Sequence, residues 1–176
     1  KESDREYMKN LNKMLDEKLT SNPDVYGTPT ITELAPPNRT AIAPEGSADM
    51  VLTFRNVHNW MSAGTTDSVF SAMYAALKPG GILGVVEHRG AASQRQDPQA
   101  RSGYVTEEAT IQIAENAGFK FVKKSELNAN SKDTRDHPKG VWTLPPRLRL
   151  GEEDKEKYLS IGESDRMTLK FMKPAE

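Results

Sequence analysis

Residues 48 to 89 contain two short apolar runs, each ending in polar groups, with an amphipathic segment between them. Residues 50–54 and 82–86 have the length and composition of strands. Between them Val69, Phe70, Met73, Ala76 and Leu77 recur at helical spacing, so a helix is expected to begin near Thr65 or Thr66. Asp67 would lie at the positive end of its dipole, and Pro79 with Gly80 would stop it. A strand, a helix and a strand in this order form a parallel unit, and in a parallel sheet ligands bind outside the carboxyl ends of the strands. The first strand runs into Arg55, Asn56, Val57, His58, Asn59 and Trp60, the second into Glu87, His88 and Arg89. Both clusters therefore fall on one rim, and any active site of this chain belongs there.

The bulk properties exclude several alternatives. A chain of 176 residues is long enough for one domain with a real core. A formal charge of −1 provides no basic field for nucleic acid or anionic lipid. No apolar run approaches the roughly 18 residues that a membrane span needs. With no cysteine, disulfides, thiolate metal sites and a Cys nucleophile are all excluded. The first ten residues lack the apolar core of a signal peptide, and there is no initiator Met. A truncated or processed chain is expected, and a cytoplasmic and an exported (periplasmic) location both stay open.

Around the central unit the remaining segments read in order. Residues 3–19 form a helix, capped by Ser3 or Asp4, with Tyr7, Met8, Leu11, Met14, Leu15 and Leu19 as an apolar stripe that covers a sheet face. Residues 28–34 are β-branched and predict a strand, restricted by Pro29 to an edge or a strand start. Residues 80–84 are glycine-rich, but they leave a helix and open a strand, the reverse of a phosphate-binding loop. Residues 90–103 are a polar loop long enough to be functional. Thr106 caps a helix that Gly118 stops, and residues 119–124 alternate as a half-exposed strand. Residues 128–165 are mostly loop, with a short ordered piece at 141–144. In residues 166–173 Met167, Leu169 and Phe171 alternate, as in a strand that pairs with an earlier one.

In this order the segments resemble the C-terminal two-thirds of a class I S-adenosylmethionine-dependent methyltransferase. SADMVLTFRNVHNW matches the fourth strand and its loop, AALKPGGILGVVEH the fifth strand, and TEEATIQIAENAGFKFV the next helix and strand. Arg55-Asn56-Val57 is similar to the ubiquinone/menaquinone C-methyltransferases, and the following His-Asn-Trp is similar to predicted bacterial methyltransferases. The resemblance covers roughly residues 5 to 173 and is strongest over 46–124. It implies a Rossmann-like three-layer α/β sandwich in a single domain. Its sheet would be mostly parallel, with an antiparallel C-terminal strand and without the first strands. The family's glycine-rich cofactor loop and the acidic residue after its second strand have no counterpart before residue 28. About 60 residues, two βα units, would be missing. A weak or absent S-adenosylmethionine site is therefore expected in this chain, and a homodimer would cover the exposed strand edges.

The resemblance implies methyl transfer to a small-molecule acceptor, an in-line displacement that needs approach geometry and at times a base. His58 is the first choice of base, since an unperturbed imidazole titrates at about pH 6.5. Glu87 and His88 are second choices. Arg55 would hold a carboxylate or enolate oxygen. Glu33, Phe54 and Asn56 fall on the cofactor side, and Asn59, Trp60, Arg89 and Tyr104 on the acceptor side, Trp60 as an apolar wall and Tyr104 as a closing group. The plainer reading of His58 is a strand-end cap. His58, Glu87 and His88 also have the composition of a Zn²⁺ or Fe²⁺ site, although their spacing carries no local signature. That leaves a metal-dependent hydrolase or oxygenase open, and so does a non-catalytic domain that retains only the fold. His137 reads as an exposed loop histidine, and Arg147 and Arg149 as an amphipathic edge or a substrate lip.

Overall fold

The computed structural model describes residues 2–175, and the side chains of residues 6, 7 and 9–175. The chain divides into two compact units, one running to Thr32 and one starting at Glu33. The first unit holds α1 (Glu2–Ser21) and a short α2 (Pro23–Tyr26). The caps expected from Ser3 and Asp4, and Met8 of the stripe, lie outside the described side chains. Tyr7, Leu11, Met14 and Leu15 are exposed, so the stripe does not bury as the periodicity predicts. The helix forms on local terms, through good helix formers and i,i+4 contacts such as Lys13 to Glu17.

The second unit is built on a four-stranded sheet in the order β1 (Ala48–Phe54), β2 (Leu77–His88), β4 (Arg166–Met172), β3 (Lys120–Ser125). β1 and β2 are parallel, and β4 lies antiparallel between β2 and β3. Three strands thus run one way and the C-terminal one runs against them, as the resemblance implies. Met167, Leu169 and Phe171 are buried along β4, as their alternation predicts, and they meet Leu83 and Val85 of β2 in the core. Burial of a side chain of that size contributes about 1.5–3 kcal/mol. α4 (Thr66–Ala76) closes this face with Val69, Phe70 and Met73, and α5 (Glu107–Asn116) packs beside it through Ala114. Thr106 caps α5 by accepting the Ala109 N–H at 3.2 Å. On the opposite face of β1, Met50, Leu52 and Phe54 are each more than half exposed.

Four local expectations are corrected. Residues 28–34 form no strand, and an isolated bridge between Ala35 and Arg39 follows them. Pro29 removes a backbone donor from this stretch. Residues 57–63, read as loop, form α3 (Val57–Ala63), closed by Gly64 in the left-handed conformation. The Pro79-Gly80-Gly81 stop lies inside β2, because α4 ends at Ala76 and the strand begins at once. Pairing moves from Ala48–Leu77 to Met50–Ile82, so residues 78–81 bulge out, with Gly80 at a φ of 77°. Residues 128–165 contain α6 (Lys155–Ile161) as well as the expected ordered piece, a 3₁₀ turn at Gly140–Thr143. α6 buries only Tyr158, too little apolar content to signal a helix in sequence.

Candidate active site

β1 and α3 bring His58 to the rim, and the end of β2 brings Glu87 beside it. Between them Arg55 turns the chain at a φ of 57°, a left-handed conformation that a non-glycine residue adopts at a cost of about 1–3 kcal/mol. Its N–H donates to Val86 O at 2.7 Å, which fixes this turn to β2. Glu87 has no exposed surface, and His58 is 6% exposed. His58 Nδ1 lies 3.0 Å from Glu87 Oε1, and the His58 backbone N–H donates to Oε2 at 3.2 Å. The His88 backbone N–H donates to Oε1 at 2.8 Å. A carboxylate out of water needs such donors, and here two of the three come from one residue.

The second imidazole completes the cluster. His88 stands 5.3 Å from His58, ring centre to ring centre, and its Nδ1 meets Ser164 Oγ at 2.5 Å. Burial pushes the His88 imidazole down to about 4; Glu87 opposes this, and the charges of His58, Arg55 and Arg166 add to it. His88 is therefore neutral at pH 7. Trp142 closes over His58 edge-on at 6.0 Å, and the Arg149 guanidinium lies 4.6 Å above the Trp142 ring. One ligand atom from each of His58, Glu87 and His88 lies within 4.8 Å of the other two.

The remaining sequence candidates are placed elsewhere. Arg89 does not face an acceptor. Its Nε and NH2 grip both oxygens of Asp165 at 2.9 and 2.8 Å, and NH1 reaches Glu107 and Glu126 at 3.0 and 2.7 Å. These bonds, Asp165 first, hold the guanidinium charged well above its ordinary range. Tyr104 is not a closing group either. It is buried, with its hydroxyl donating to Asp133 at 2.9–3.0 Å, and burial with the Asp133 charge raises its pKa. Trp60 packs edge-on against Phe70 at 6.2 Å as part of the core wall. Glu33 is exposed and paired with Arg39. Asn56 Nδ2 bonds Thr53 Oγ1 at 3.3 Å, Asn59 Nδ2 bonds Arg55 O at 3.4 Å, and Phe54 is exposed. The rim thus gathers His58, Glu87 and His88.

Sequence reasoning missed what ties the long loop to this rim. Asp133 accepts from Tyr104, His137 and the N–H groups of Arg135 and Asp165. His137, expected in the open, has a side chain only 5% exposed because it is held there. Asp165 accepts from Arg89, from Arg135 at 2.6 Å and from the Asn130 N–H at 2.8 Å. Burial alone would raise the Asp165 carboxyl; Arg89, Arg135 and Asn130 outweigh it and bring it down to about 2. The only signal in sequence is the run Ser164-Asp165-Arg166 directly before an alternating strand. Trp142 carried none.

No protein-family model matches the chain, and no curated protein matches it. Solved structures do resemble its fold. The [4+2]-cyclase SpnF is 17% identical, over 76% of this chain and 52% of its own, with a TM-score of 0.46. A SAM-dependent methyltransferase from Methanosarcina mazei is 12% identical over 75% and 62%, with a TM-score of 0.45. The 1,6-didemethyltoxoflavin-N1-methyltransferase of Burkholderia thailandensis, bound to S-adenosylhomocysteine, is 13% identical over 77% and 48%, with a TM-score of 0.46. The chain spans about half to three-fifths of the length of these proteins. The likeness is one of fold, and a fold hosts more than one chemistry.

Proposed function

We propose that these residues supply the acceptor side of S-adenosylmethionine-dependent methyl transfer to a small molecule, within a longer parent protein. The observation that carries this reading is the pairing of His58 with Glu87 at the carboxyl ends of two adjacent parallel strands. Glu87 Oε1 takes the Nδ1–H of His58 at 3.0 Å, which leaves Nε2 to accept a proton from an acceptor hydroxyl or amine. The carboxylate also stabilises the imidazolium that forms, the arrangement by which an acid orients a histidine base.

The described residues do not themselves fit the cofactor. No glycine-rich turn links a strand to a helix ahead of β1, Glu33 is paired with Arg39, and the Asn56 amide is committed to Thr53. No step through the sulfonium is therefore derived. This mismatch also favours a second reading, a non-catalytic domain that retains the fold. Calorimetric titration of the 176-residue chain with S-adenosylmethionine is expected to show weak or no binding, and near-micromolar affinity would contradict the missing cradle. In the parent protein, release of S-adenosylhomocysteine with a small-molecule acceptor, lost in His58→Ala, separates the two readings. A parent protein that releases none is the non-catalytic domain.

A further inference from the structure

We propose that His58, Glu87 and His88 form a binding site for one divalent transition-metal ion. The proposal goes beyond methyl transfer and does not depend on it, because the ion needs only these three side chains. Two neutral imidazoles and a carboxylate are the donor set that holds Zn²⁺ or Fe²⁺ with open positions left over. One ligand atom from each lies within 4.8 Å of the other two. His58 Nδ1 and Glu87 Oε1, at 3.0 Å, already have about the spacing of neighbouring ligands on an ion roughly 2.1 Å from each. The ion would replace the proton they share, with His88 as the third ligand.

Charge supports the same conclusion. Glu87 is fully buried, and among the described residues its only ion-pair partner is His58, which is charged only when protonated. A carboxylate so placed lacks a permanent countercharge, which a dication supplies. Asp165, another buried acid near this end, differs because Arg89 and Arg135 neutralise it. With three protein ligands the ion keeps a position for water or an acceptor oxygen. An acceptor hydroxyl bound there loses its proton more readily, so the ion takes over the work assigned to His58 as base.

The test uses metal-free protein titrated with Co(II), read by its visible ligand-field bands, with Zn(II) in competition. One ion per chain is expected, with proton release on binding. Glu87→Gln and His88→Asn should each weaken binding by about tenfold or more. His137→Gln, which changes the one remaining histidine of the three, should leave it unaltered. Because a variant can fail to fold, imidazole NMR of the unaltered protein with Zn(II) gives an independent reading. His58 and His88 resonances should shift in step up to one equivalent while His137 stays. Absence of binding, binding that follows His137, or binding indifferent to His88 overturns the proposal. A chain that binds no Co(II) or Zn(II), in a parent protein that still releases S-adenosylhomocysteine, would overturn the metal site and leave methyl transfer standing. An ion bound in a parent protein that releases no S-adenosylhomocysteine would do the reverse.

Discussion

Asp165→Asn is expected to unfold the C-terminal loop region before it affects the sheet. The carboxylate is 1% exposed and holds Arg89 through two parallel bonds and Arg135 through two more. Removal of one partner from a buried ion pair costs about 3–5 kcal/mol, because the remaining charge stays buried without compensation. Arg89 still has Glu107 and Glu126 to fall back on, so the lower end of that range applies. The pKa supports a loss of this order. A fall from 3.8 to about 2 is worth about 2 kcal/mol at roughly 1.4 kcal/mol per pH unit. Because the folded-state value is the lower one, this stability is fully present above pH 3.8 and is lost as pH falls toward 2. Urea denaturation of the wild type and the variant should differ by about 3 kcal/mol at pH 6, and the gap should narrow by about 1 kcal/mol at pH 3. A gap below 1 kcal/mol, or one that does not change with pH, would show that the network is decorative.

Three further outcomes follow. In the active parent protein, Glu87→Gln should lower kcat by about 10²–10⁴-fold at unchanged fold, measured by S-adenosylhomocysteine release, because the amide no longer stabilises an imidazolium. His88 should stay neutral down to a midpoint of about 4 by NMR; since its folded value lies below 6.5, stability falls as pH drops from 6.5 to 4, and His88→Asn should remove that slope. Gly140→Ala should destabilise severely in thermal melts, because a Cβ there meets Ser102 O at 2.0 Å and the backbone holds a φ of 57°.

The sheet was legible because its apolar residues repeat with the right period. Met167, Leu169 and Phe171 alternate and are buried, and Thr106 caps the helix it was expected to cap. Where period and burial came apart, the reading failed: the stripe of α1 has helical spacing and lies in water, and α6 forms with only Tyr158 buried. The α3 helix was hidden by its polar residues, although Val57, Trp60 and Met61 follow a helical spacing and Gly64 closes it. The adjacency of His58 and Glu87 was legible because strand ends in a parallel unit lie side by side whatever their sequence separation. Arg89 and Tyr104 were misplaced because their partners, Asp165 and Asp133, come from a loop with no periodicity. Rim position follows from topology, but partner choice depends on loops whose course the sequence does not encode locally.

That loop network bears on the chemistry through one residue step. Ser164, the partner of His88, directly precedes Asp165, whose N–H donates to Asp133 and whose carbonyl accepts from the Arg89 N–H at 2.9 Å. The ion pairs of Arg89 therefore set the position of Ser164, and through it the orientation of the second imidazole. Glu87, near the end of β2, and Arg89, just past it, are two residues apart: one holds the base, the other anchors the loop that positions its neighbour. A loss confined to stability would leave the His88 ring where it is. If the coupling is real, Asp165→Asn also releases His88 from Ser164 at temperatures where the sheet is intact. The His88 resonances should then broaden while those of His58, held by Glu87 alone, stay sharp.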